Sequence, residues 1–169
     1  MPRVIGQTTE AQQRKSSATR ERRRWDEASF FHELKNRRGV DEAEMARHIH
    51  GWAKGKEPLI QIQWGTGDTY GGFAATLHVD GRKYLQLLTV DISGSLEIYS
   101  NYYSSQPPFN NEEKWLELRD ELSAIGLALP RDLNEFRTPS LRLSSLQEES
   151  LTQVLKKFDW IVEEIRKSA

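Results

Sequence analysis

The stretch Phe73-Ala74-Ala75-Thr76-Leu77-His78-Val79-Asp80-Gly81-Arg82-Lys83-Tyr84-Leu85-Gln86-Leu87-Leu88-Thr89-Val90 decides the fold. Phe73, Ala75, Leu77 and Val79 recur at every second position, so they share one side of a strand. Asp80-Gly81 then breaks the run. Both residue types tolerate the positive φ of a two-residue hairpin turn, and Lys83 to Val90 reads as the returning strand.

Outward from this hairpin the same period continues. In Leu59-Ile60-Gln61-Ile62-Gln63-Trp64, Ile60, Ile62 and Trp64 lie on one face and Gln61 and Gln63 on the other. Ser93-Gly94 makes a second turn before a fourth strand, Leu96-Glu97-Ile98-Tyr99. The expected sheet is a four-stranded, largely antiparallel meander with helices packed on one face and the other face partly open.

Helical spacing flanks the meander on both sides. Asp26 is a candidate N-cap for a helix bearing Ala28, Phe30, Phe31 and Leu34, stopped between Asn36 and Gly39. Asp41-Glu42-Ala43-Glu44 reads as a capping box for a second helix, with Met45, Ile49, Trp52 and Ala53 on one side and Gly55 and Pro58 at its end. After the strands, Tyr102 to Phe109 is a connection that Pro107-Pro108 should hold extended. Asn110 to Glu113 caps a third helix carrying Trp115, Leu118, Leu122 and Ile125, which Gly126 stops. Leu127 to Leu143 is irregular, with Leu127-Ala128-Leu129 and Leu141-Arg142-Leu143 as short extended pieces. Ser145-Leu146-Gln147-Glu148 caps the last helix, whose stripe is Leu151, Val154, Leu155, Phe158, Ile161, Val162 and Ile165. The expectation is an α+β domain with two N-terminal and two C-terminal helices.

The 169 residues carry 24 Lys+Arg and 25 Asp+Glu, a net charge of −1 that conceals an uneven distribution. Residues 1–24 hold seven basic residues against Glu10 and Glu21, so this segment is +5 and the remainder −6. It has no aromatic residue and little else to bury, which reads as a disordered basic tail ahead of a single domain over 25–169. Arg22, Arg23 and Arg24 are candidate phosphate contacts of such an arm, whereas a body of −6 does not itself attract a polyanion. Zero Cys removes disulfides, thiolate metal sites and cysteine nucleophiles, and fits a cytoplasmic location. No apolar run is long enough for a membrane span.

Most catalytic patterns are missing. The glycine-rich segment Trp64-Gly65-Thr66-Gly67-Asp68-Thr69-Tyr70-Gly71-Gly72 precedes a strand rather than a helix and lacks Gly-Lys-Ser/Thr, so it is no phosphate loop. It reads as a hairpin loop or as a rim over a ligand site. His48 and His50 stand two apart on a helix and point about 200° apart, so they cannot grip one metal. His32, His48, His50 and His78 are each expected to be solvated or to cap. No serine-nucleophile motif occurs. The order of helix, strands and helix is loosely that of a restriction-nuclease core. That chemistry needs an Asp at a strand end, for which Asp80 is the candidate, and then an acid-x-Lys that Gln86-Leu87-Leu88 and Glu97-Ile98-Tyr99 do not supply. No cofactor motif is present.

Aromatics are more suggestive. Tyr99, Tyr102, Tyr103 and Phe109 gather near the end of the fourth strand, with Trp64 and Tyr70 beside the glycine loop. With Gln61, Gln63, Arg82 and Lys83 they could line the open sheet face, where rings stack planar ligands and amides read their edges. The plainer reading places most of these rings in the core or at its rim.

The body from Trp25 to Lys167, about 140 of the 169 residues, carries a set of segments that resembles a bacterial domain without an assigned activity. These are Trp25-Asp26-Glu27-Ala28-Ser29-Phe30-Phe31, Trp64-Gly65-Thr66-Gly67 with Gly72-Phe73, Leu96-Glu97-Ile98, Pro107-Pro108-Phe109 and Phe158-Asp159-Trp160-Ile161-Val162-Glu163-Glu164-Ile165. The resemblance implies a self-contained α+β module, found alone or at the C-terminus of larger proteins, behind a variable linker. It brings no catalytic residue. The expectation is therefore a non-enzymatic binding or interaction module whose partner is a nucleic acid or another protein domain. The alternative is an enzyme or a degenerate relative of the nuclease fold.

Overall fold

A computed structural model of the chain describes residues 25–65 and 71–168. In order, the described residues form α1 (Glu27–Arg38), α2 (Val40–Lys54), β1 (Ile60–Trp64), β2 (Gly72–Val79), β3 (Arg82–Asp91), β4 (Ser95–Glu97), α3 (Ser100–Ser104), α4 (Glu112–Ser123), β5 (Ser140–Arg142), a 3-10 turn (Leu143–Ser145) and α5 (Glu148–Ser168). The sheet is antiparallel throughout, with strand order β1-β2-β3-β4-β5. The architecture is α+β.

Two additions separate it from the four strands and four helices expected. Leu141-Arg142 belongs to a fifth strand, pairing Ser95↔Arg142, Leu96↔Leu141 and Glu97↔Ser140, whereas Leu127-Ala128-Leu129 joins no strand and simply buries both leucines. The connection after β4 is not extended. It winds into α3 and then turns, because Gln106 Nε2 donates to Tyr84 O at 3.2 Å and Tyr84 Oη to Pro107 O at 2.8 Å, which holds the prolines against β3 while Phe109 enters the core.

Helix starts follow local chemistry. Asp26 caps α1 as expected, accepting from Ser29 N at 2.8 Å while Ser29 Oγ accepts from Asp26 N at 3.0 Å. The box at Asp41 does not form. One residue, Gly39 at φ +96°, separates α1 from α2, so Gly39 donates its N–H to Lys35 O and its carbonyl accepts from Ala43 N. The helix has thus begun before Asp41, and Glu42 instead pairs with Arg38 Nε at 3.1 Å. At α5 the Ser150 hydroxyl accepts from Gln147 N at 2.8 Å and donates to Gln147 O at 3.0 Å, and Ser145 Oγ donates to Arg142 O rather than capping the helix.

β3 is two residues longer than β2. Its register skips Leu87 between Ala75↔Leu88 and Thr76↔Gln86, and skips Tyr84 between Leu77↔Leu85 and His78↔Lys83. Each skip is a bulge, which bends the strand and re-aims side chains. Leu85, Leu87, Leu88 and Val90 all end in the core, and the buried Tyr103 hydroxyl donates to the Leu87 carbonyl at 2.6 Å. One continuous core joins the helix-facing side of the sheet to all five helices.

Candidate functional site

The open side of the sheet carries a groove of about 430 Å³. The strand register explains its walls. Gln63 pairs with Ala74, Ala74 with Thr89, and Thr89 with Glu97, so one row crosses four strands with its smallest side chain on β2. Ala74 thus makes a low floor between Gln63 and Thr89. Gln86, Asp91 and Tyr99 also line the groove, and Gly65, Gly71 and Gly72 close the end beside β1.

Two of those glycines, Gly71 and Gly72, are fixed by close approach. The indole of Trp25, 3% exposed, lies where a Cβ on Gly71 would come within 2.3 Å of it. Trp25 N–H donates to Gly65 O at 2.9 Å. Any side chain at Gly71 would therefore displace the ring that anchors the start of the domain.

The two carboxylates have different surroundings. Asp91 Oδ1 accepts from Ser93 N at 3.0 Å and Ser95 N at 3.4 Å, and also from the Ser93 hydroxyl, so Asp91 shapes the turn into β4. The Glu97 carboxylate lies near the Tyr99 hydroxyl. Burial first, and the Glu97 charge second, push the Tyr99 phenol above its ordinary value, so it stays protonated and can donate. Among the described residues that line the groove there is no Lys, Arg or His. No group of three or more His, Asp or Glu side chains is gathered to hold a metal among the described residues.

Beyond Tyr99 the surface turns aromatic. Tyr99 and Tyr102 have ring centroids 5.3 Å apart, and Phe136 stacks on Tyr99 at 6.5 Å with planes 16° apart. Tyr102 is 40% and Phe136 58% exposed. A second recess of about 240 Å³ adjoins this strip, lined by Lys83, Tyr84, Gln86, Tyr102 and Gln106. Gln86 lines both hollows.

The residues singled out from sequence thus fall into separate places. Gln61 and Gln63 are exposed on the open face, Tyr99 ends the groove, and Tyr102 and Lys83 belong to the second recess. Trp64 only abuts the groove. Its ring packs on the helical side, 5.6 Å from Phe30, 5.7 Å from His50 and 5.4 Å from Phe73, as its alternation with the glutamines requires. Tyr103 and Phe109 are fully buried core residues. Tyr70, Arg22, Arg23 and Arg24 lie outside the described residues, as does the expected tail over 1–24.

Two histidines also depart from a solvated or capping role. His50 is buried among Phe31, Trp64 and Phe73, and His78 Nε2 lies 3.3 Å from Thr76 Oγ1. Asp80, the one candidate acid of a nuclease pattern, sits in the hairpin turn at φ +53°. The residues that sequence reasoning passed over are Ala74, Gln86, Thr89 and Phe136. Ala74 and Gln86 each alternate with core neighbours, and Thr89 joins them on the open face only because the bulge at Leu87 resets the alternation of β3. Phe136 had no such signal.

Comparison with family models, curated proteins and solved structures returns no match to this chain. No helix among the described residues is long and apolar enough to cross a membrane.

Proposed function

We propose that this domain is a non-enzymatic binding module whose ligand lies along the open sheet face, and that the ligand is polar without net negative charge. The groove walled by Gln63, Gln86, Thr89 and Glu97 carries this reading. Two amides and a hydroxyl offer both donors and acceptors, and Glu97 accepts only, so a hydroxyl-rich or cationic group fits and a phosphate is repelled. Tyr99, Tyr102 and Phe136 add a surface on which a sugar ring, a planar group or a guanidinium can rest. The carboxylates support binding better than catalysis. Asp91 is committed to its turn, and neither acid is met by a Lys, Arg or His among the described residues that line the groove.

The test is an amide-resolved NMR titration of the full chain with three probes: a neutral oligosaccharide, an arginine-containing peptide and a single-stranded oligonucleotide. The neutral or cationic probe should shift Gln63, Gln86, Thr89 and Tyr99, and Tyr99→Ala should weaken that binding about tenfold. Saturable shifts at these residues from the oligonucleotide alone would overturn the charge argument. Groove residues that no probe moves would overturn the binding site.

A further inference from the structure

The two edges of the sheet are built differently. β5 is three residues long, ends in Arg142, and is hemmed by Pro139 and the 3-10 turn. Short length, charge and proline are ordinary devices that stop a sheet edge from pairing with another chain. β1 has no charge, no proline and no bulge within its five residues, and its register with β2 is unbroken.

Hydrogen bonding identifies which groups of β1 are open. His78 N–H donates to Leu59 O and Gly65 N–H to Gly72 O, each at 2.8 Å. In an antiparallel ladder, residues that bond one neighbour alternate with residues that face away. Leu59, Gln61, Gln63 and Gly65 therefore turn their backbone groups to β2, and Ile60, Ile62 and Trp64 turn theirs outward. Lys56 O takes the Ile60 N–H at 3.2 Å. Among the described residues nothing reaches the outward groups of Ile62 and Trp64. The side chains of these two residues are also only half-buried, whereas their β2 neighbours Ala75 and Phe73 are covered.

We infer that β1 is a contact between two copies of this chain, paired antiparallel about a two-fold axis at Ile62. A second copy is the fitting occupant because Ile60-Gln61-Ile62-Gln63-Trp64 complements itself in that register. Ile62 exchanges two backbone hydrogen bonds with the partner's Ile62, and each Trp64 N–H donates to the partner's Ile60 carbonyl. On the helical side Ile60 opposes Trp64, and on the open side Gln61 opposes Gln63. No charge meets a like charge anywhere along the strand. Such a strand pair is shorter than a standard stable interface, so the dimer is weak and concentration-dependent. It joins two sheets into one of ten strands and sets both grooves on a common surface.

Sedimentation velocity of the full chain between about 5 µM and about 1 mM tests this, because a weak dimer dissociates within that range. Two double variants serve with it, Gln61→Lys with Gln63→Lys and Gln61→Glu with Gln63→Glu. Both positions are exposed, so the melting temperature of each variant should match the parent's. The two-fold register sets like charges opposite each other twice in either variant. The parent should pass from monomer to dimer, each variant should associate at least about tenfold more weakly, and an equimolar mixture should restore a heterodimer. A parent that stays monomeric at the highest concentration would overturn the inference. So would a dimer that the lysine pair leaves unchanged, or variants that fail to rescue one another.

Discussion

His50 is a titratable ring enclosed by three aromatic ones, with its Nδ1 3.6 Å from Glu27 Oε1. Burial lowers its pKa below the ordinary 6.5, and Glu27 offsets this only in part. The folded chain therefore refuses a proton that the unfolded chain accepts. This contribution to stability is complete above about 6.5, falls as pH drops through 6.5, and levels off below the folded value. One proton limits the slope to about 1.4 kcal/mol per pH unit. Urea unfolding from pH 8 to pH 5 should show this loss in the parent and not in His50→Phe. Equal pH dependences in the two proteins would mean that no proton is linked to folding at this site. Gly71 makes a second prediction at this scale. Gly71→Ala sets a methyl group into the Trp25 ring and should cost about 1–3 kcal/mol of overpacking in the same assay.

Among the elements, α5 and β3 bear most directly on the core. Phe158 is fully buried at the middle of the α5 stripe, so Phe158→Ala should cost about 3–5 kcal/mol in denaturant unfolding. Tyr103→Phe removes the donor to the Leu87 carbonyl at the β3 bulge and leaves a buried acceptor without its partner, a loss of about 1–3 kcal/mol. A cost near zero would mean that the bulge holds its shape without this bond. The same elements mark what the sequence lets one read. Strict alternation made β1, β2 and their facing legible, and the seven-residue stripe made α5 legible. One bulge could have been read at Leu87-Leu88, where two adjacent leucines break the alternation, whereas the one at Tyr84 has no such mark. β5 could not, because a three-residue strand is indistinguishable from other extended pieces until Ser140 to Arg142 meets β4. The groove was half legible. Period two puts Gln61, Gln63 and Gln86 on the open face, but the depth of the hollow depends on which residue of β2 stands beside them, and only register supplies Ala74. Trp64 was misplaced by grouping it with nearby aromatics against its own alternation.

At the level of the whole molecule, the sheet has a covered side, an open side and, in β1, an edge free of charge and proline. Hydrogen exchange should register the edge directly. In dilute protein the amides of Gln61 and Gln63 should be protected while those of Ile62 and Trp64 exchange quickly, an alternation with the period of the ladder. Uniform protection along β1 at low concentration would mean that something other than a second copy already occupies the edge.

Trp25 sets where the chain enters this architecture. Its ring rests on Gly71 and its N–H on Gly65, and both glycines line the groove. Whatever is joined N-terminal to Trp25 is thereby tethered at the mouth of the groove. The effective concentration of a group attached there is set by the length and stiffness of the chain that joins it. A peptide or affinity tag fused there would thus compete with an added ligand in a way that the same tag on the C-terminus of α5 would not, so the choice of terminus can by itself change an apparent affinity.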